Sequence, residues 1–75
     1  MITHKNVNEF FTWQPPSGTQ PQRYEMIREA ARRLALEILE HTQVCADQQA
    51  ALRKLRECVM TANAAIALEH LDDDA

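Results

Sequence analysis

A chain of 75 residues with a net charge of −3 has room for one domain and no second core. Its 11 acidic against 8 basic residues exclude the broad basic surface on which DNA or RNA binding rests, but a small anion in a pocket needs only a few well-placed arginines. A single glycine leaves no phosphate-cradling loop, and with no nucleophile elbow or obviously buried carboxylate pair the chain is not expected to be an enzyme.

No apolar run approaches the ~20 residues of a membrane span, and no secretory signal is apparent, so a cytoplasmic protein without a membrane partner is expected. Cys45 and Cys58 are too few for a disulfide framework and are expected to be reduced, small and half-buried. A core this small makes a lone chain marginal. Self-association is the expected remedy.

In chain order, residues 1–12 carry Val7, Phe10 and Phe11 at helical spacing, which predicts a short helix over about residues 4–11 that docks on something larger through its phenylalanines. Residues 13–18, Trp-Gln-Pro-Pro-Ser-Gly, form an elbow stiffened by Pro15 and Pro16 and turned at Gly18. This elbow is either a plain rigid connection or a device that holds Trp13 where its ring can stack on a base.

A long helix is predicted over 19–43, opened by Thr19 and Gln22 as a T-x-x-Q capping box with Pro21 in the first turn. Its apolar face is Tyr24, Ile27, Ala31, Leu34 and Ile38, with Leu36 and Leu39 on a second stripe. Asp47 is the expected N-cap of the next helix, 47–71, whose main face is Leu52, Leu55, Val59, Ala62 and Ile66. Met60, Ala64, Ala67, Leu68 and Leu71 form another stripe there. The short connection makes the two helices antiparallel neighbours with more apolar surface than one hairpin buries. Residues 72–75, acidic at a helix C-terminus, are expected to fray.

Arg23, Arg28, Arg32 and Arg33 cluster in the first half of the 19–43 helix, where guanidinium groups can fork onto phosphate. They can equally form a solvated face paired with Glu25, Glu29 and Glu37. Arg53, Lys54 and Arg56 form a second basic group, expected to meet the first only across an oligomer and to pair with Glu57 or Asp47. His41, Cys45, Cys58 and His70 lack the spacing of a zinc site, and no metal is expected.

The segment FTWQPPSGTQPQRYEMIREAARRLALEIL followed by ALRKLRECVMTANAAIALE resembles the phage anti-CBASS cyclic-oligonucleotide sponges, the second anti-CBASS protein family, whose hairpin domain is shared with anti-Thoeris sponges. The likeness covers about residues 10–69 and rests on the F-T-aromatic-x-P-P-x-G elbow, the R-Y-E-x-I-R-x-A-A helix start and the V-M-x-A-N-A-A-I-A run. It implies compact helical homohexamers that bind cyclic dinucleotides such as 3′,3′-cGAMP between protomers. Many such proteins also hold cyclic trinucleotides in separate pockets. They sequester the messenger without cleaving it, so that the bacterial CBASS effector stays silent.

Carried onto this chain, the resemblance implies that Trp13, where relatives often have tyrosine, stacks on a base. It makes Arg28 the first choice for the phosphates, followed by Arg23 and Tyr24, with Pro15 and Ser17 of the elbow beside them. Thr61 and Asn63 are assigned to a second pocket or to assembly. Leu68 stands where relatives often carry a basic residue, a departure that bears on the trinucleotide pocket. The expected protein is thus an all-α helical hairpin with a short N-terminal helix, self-associating as a hexamer, a non-enzymatic sponge without cofactor. The alternative is a hairpin that docks on another protein and takes no nucleotide.

Overall fold

The computed structural model describes residues 1–71. It consists of a one-turn helix α1 (Val7–Phe10), two helices of 22 residues each, α2 (Gln20–His41) and α3 (Ala46–Ala67), and a closing 3₁₀ turn over Glu69–Leu71. α2 and α3 pack as an antiparallel hairpin, and no strand occurs among the described residues, in agreement with the expected all-α class. The acidic segment 72–75 lies outside the described residues.

The start of α2 differs from the expected capping box. Thr19 makes no side-chain cap; the side chain of Gln20 closes the turn instead, its Oε1 accepting from the Ser17 backbone N–H at 3.0 Å. The Gln20 N–H donates in turn to the Ser17 carbonyl at 3.0 Å, and Gly18 between them sits at φ 56°, the left-handed conformation that glycine adopts without strain. The turn over 17–20 is therefore closed by the Gln20 side chain and the Ser17 backbone, with no hydroxyl cap, two residues before the T-x-x-Q read from the sequence.

The start of α3 also differs. Cys45, not Asp47, is the N-cap: its Sγ accepts from the Gln48 N–H at 3.4 Å, and Asp47 sits within the first turn, where its charge suits the helix dipole. Gln48, only 3% exposed, donates from Nε2 to the Thr42 carbonyl at 3.3 Å and hydroxyl at 3.1 Å and so ties the helix start to the end of α2. Cys45 and Cys58 are both exposed, not half-buried as expected, because neither lies on the seam between the helices.

The seam is formed by Tyr24, Ile27, Ala31, Ala35 and Ile38 of α2 against Leu52, Leu55, Val59, Ala62 and Ile66 of α3. Ala35 replaces the expected Leu34, which is 51% exposed. With 3.6 residues per turn both positions approach the seam, and the tighter site holds the smaller side chain. Of the expected phenylalanine anchors, Phe10 is half-buried while Phe11 stays 80% exposed, since one helical turn turns only one of two adjacent rings inward.

Burial is thin. Ile66, at 9% exposure, is the only buried apolar residue among those described. Met26, Leu36, Leu39, Val44 and Met60 remain largely in solvent. The accessible surface of 6200 Å² exceeds the roughly 4700 Å² of a compact monomer of this mass. The radius of gyration of 15.6 Å likewise exceeds the roughly 11 Å expected for this length.

With so little apolar burial, the two buried glutamines contribute a large share of what holds the hairpin ends. Replacing Gln20 by Ala strips the Ser17 N–H and the Ile66 carbonyl of their partner and is expected to cost about 1–2 kcal/mol. Thermal unfolding of the variant and the parent at one protein concentration measures it; an unchanged midpoint would show that water replaces the amide without loss.

Candidate functional site

The elbow is positioned from both sides. At its start, the Thr12 hydroxyl donates to the Asn8 carbonyl at 2.6 Å, and Gln14 Nε2 donates to the carbonyls of Glu9 at 3.3 Å and Thr12 at 3.2 Å, so the chain leaving α1 folds back on it. At its end, the Ser17–Gln20 turn anchors it to α2. Pro15 and Pro16 stiffen the span between. Trp13, on this short strap, is 79% exposed and lies over the hairpin instead of within it.

Beneath the strap is an open groove of about 500 Å³, lined by Phe10, Trp13 and Pro16 on one side, Tyr24 and Arg28 of α2, and Met60, Asn63, Ala67 and Leu68 of α3. Of the residues expected at a ligand site, Trp13, Tyr24, Arg28 and Asn63 meet here within a single protomer. Asn63 was expected in a second pocket or in assembly, yet it shares the groove with Trp13; its Oδ1 is buried without a hydrogen-bond partner. Leu68 lines the same groove and adds an apolar wall.

Arg23, Pro15, Ser17 and Thr61 are placed otherwise. Arg23 forms a bidentate pair with Glu69, with both nitrogen–oxygen distances at 2.8 Å. Gln20 Nε2 reaches the same carboxylate at 3.5 Å and the Ile66 carbonyl at 2.9 Å, so the start of α2 is clasped to the end of α3. Ser17 serves that clasp through its backbone, and Pro15 is exposed outside the groove lining. The Thr61 hydroxyl donates to the Glu57 carbonyl at 2.9 Å, within its own helix.

Arg28 pairs through one nitrogen with Glu25 at 2.6 Å, and both side chains are 64% exposed. An exposed pair of this kind is weakly held, so the guanidinium fork can be drawn to a stronger anion. Arg32 pairs with Glu29 at 2.6 Å, as the solvated-face reading expected.

Arg28 also borders a second, more apolar groove of about 520 Å³, along with Arg32, Arg56, Leu39, Leu52, Leu55 and Met60. This corrects the expectation that the two basic groups meet only across an oligomer. In an antiparallel hairpin with a turn at 42–45, the middle of α3 stands opposite the middle of α2, and Arg56 therefore falls beside Arg32.

Hydrogen bonding from Arg23 holds the Glu69 carboxyl below its ordinary value of 4.5, and Arg32 does the same for Glu29. No described helix is long and apolar enough to cross a membrane.

The architecture is that of a helical hairpin whose open end carries a strapped-over groove lined by aromatic rings and a guanidinium group. Residues 4–67 match the family model described as Acb2/Tad1, hairpin domain, and the chain belongs to that family. The family, which comprises the anti-CBASS and anti-Thoeris sponges, is a sponge-type binding domain and not a known enzyme family. No curated protein and no solved structure matches the chain.

The clasp carries a pH signature. Because Glu69 titrates lower in the folded chain than in the unfolded one, its contribution to stability is complete above the ordinary value of 4.5 and is lost as pH falls through the depressed folded value. Unfolding midpoints between about pH 6 and 3 are therefore expected to fall less steeply in Glu69→Gln than in the parent. Equal slopes would place the acid sensitivity elsewhere.

Proposed function

We propose that this protein is a non-enzymatic sponge that binds and sequesters cyclic dinucleotide second messengers, 3′,3′-cGAMP among them, in the cytoplasm of a phage-infected bacterium, and so blocks CBASS immunity. The observation that carries the reading is the convergence of Trp13, Tyr24 and Arg28 on one groove in a member of the Acb2/Tad1 hairpin family. Trp13 stacks on a base, and Arg28 leaves Glu25 for a phosphate. Stacking contributes about 1–3 kcal/mol per base and a charge-assisted hydrogen bond about 1.5–3 kcal/mol. Such ligands carry two bases and two phosphates, so a second copy of the site doubles the gain.

The protein acts as a homo-oligomer in this reading, a hexamer by family likeness. The excess exposed apolar surface supports self-association, since side chains such as Leu36, Leu39 and Met60 can gain burial against another copy. Cyclic trinucleotides are a further ligand class of the proposal, with Thr61 as a candidate contact. Arg23 acts here through the clasp and not on the ligand, with Pro15 and Ser17 shaping the strap.

Calorimetric titration with 3′,3′-cGAMP is expected to show micromolar or tighter binding, and Trp13→Ala and Arg28→Ala are each expected to weaken it by about tenfold or more. The native mass of the assembly should be the same in both variants, and ligand recovered after denaturing a saturated sample should be intact. Absence of binding across a panel of cyclic di- and trinucleotides would overturn the reading in favour of a hairpin that docks on a protein. Conversion of the ligand would make it an enzyme.

A further inference from the structure

We propose that the Asn63 carboxamide reads the base stacked on Trp13 and selects adenine, which makes adenine-bearing cyclic dinucleotides the preferred ligands; the inference rests on the sponge reading above. Asn63 lies in the groove with Trp13 and Arg28, and its Oδ1 is buried with no hydrogen-bond partner among the described residues. Its groove neighbours on α3, Met60, Ala64 and Ala67, carry no side-chain donor, and Trp13, Tyr24 and Arg28 in the same lining make no bond to it. A carbonyl oxygen left unpaired in such surroundings costs free energy until a donor arrives.

On the strap side the groove-lining amide and hydroxyl are already engaged, and on α2 the Tyr24 hydroxyl can donate or accept and so does not separate the purines. Gln14 donates to the carbonyls of Glu9 and Thr12, and Thr12 donates to that of Asn8. Asn63 thus has its full hydrogen-bonding capacity to offer. The terminal torsion of asparagine is soft, so the amide can turn its buried oxygen into the groove when a ligand enters.

A carboxamide presents an acceptor and a donor side by side in one plane. In this assignment the N6/N7 edge faces Asn63: there adenine offers the amino donor beside the N7 acceptor, whereas guanine presents two acceptors, O6 and N7, and leaves Oδ1 unpaired. Approach along the O6/N1–H edge, where guanine too sets an acceptor beside a donor, would give no preference for adenine. Stacking on Trp13 holds either purine equally well, because every base has a π-face. Discrimination therefore falls to Asn63, while affinity rests on Trp13 and Arg28.

The test compares cyclic di-AMP with cyclic di-GMP by calorimetry on the full chain, in the parent, in Asn63→Leu and in Asn63→Ala, with native mass recorded for each. The parent is expected to prefer cyclic di-AMP by about tenfold. Both variants are expected to lose that preference, chiefly through weaker cyclic di-AMP binding, with the assembly unchanged. A preference retained in the folded variants, or absent from the parent while both ligands bind, overturns the assignment and leaves the sponge reading standing. A change in native mass makes Asn63 an assembly contact and also overturns it. Failure of the parent to bind either ligand, or any other cyclic oligonucleotide, overturns the sponge reading itself.

Discussion

One side chain joins the parts of this protein. Gln20 accepts from the Ser17 N–H, donates to the Ile66 carbonyl and reaches the Glu69 carboxylate that Arg23 grips with both nitrogens. The elbow, the start of α2 and the end of α3 are thereby fixed together at one point. Because the bond to Ile66 spans 46 residues of sequence, it closes the hairpin at its open end. Gln48 closes the other end against Thr42. Between these polar ties the packing is light, with a single buried apolar residue among those described, so hairpin geometry depends on hydrogen bonds that in a larger domain would be secondary.

That economy explains how the groove exists. A strap carrying Trp13 can rest over the open end of the hairpin only if both of its own ends are held, by Gln14 against α1 and by the Ser17–Gln20 turn against α2. Arg28 lines the same groove from α2, held by nothing stronger than an exposed pair with Glu25. Arg23, one helical turn and a little more before it, is committed to Glu69. Two arginines on the same helix thus carry different duties: the bidentate pair shapes the site, and the weakly paired one is available to an anion.

Much of the architecture was legible in the sequence. Apolar spacing located the two long helices and their antiparallel pairing, and the Pro-Pro-Ser-Gly stretch located the elbow. The caps were read less well. T-x-x-Q at 19–22 suggested a cap, but the turn is closed two residues earlier by Gln20, whose side chain meets the Ser17 backbone and also reaches Ile66, a contact no local pattern shows. Cys45 was passed over because thiol is a weak acceptor, although it stands three residues before Gln48 in the capping register. The partner of Arg23 was invisible for a different reason: no acidic residue stands three or four positions from it on α2, and Glu69 arrives from the far end of the chain.

By itself the sequence determined the helical class, the stiff elbow, the surplus of apolar surface and the clustering of an aromatic ring with guanidinium groups, because each of these follows from local composition and periodicity. Tertiary structure decided which of those groups share a groove. It brought Asn63 beside Trp13 and Arg28, set Arg56 beside Arg32, and withdrew Arg23 and Thr61 into bonds of their own. The reason is antiparallel register: a hairpin places residues tens of positions apart at the same height, and the polar ties at its two ends set that height.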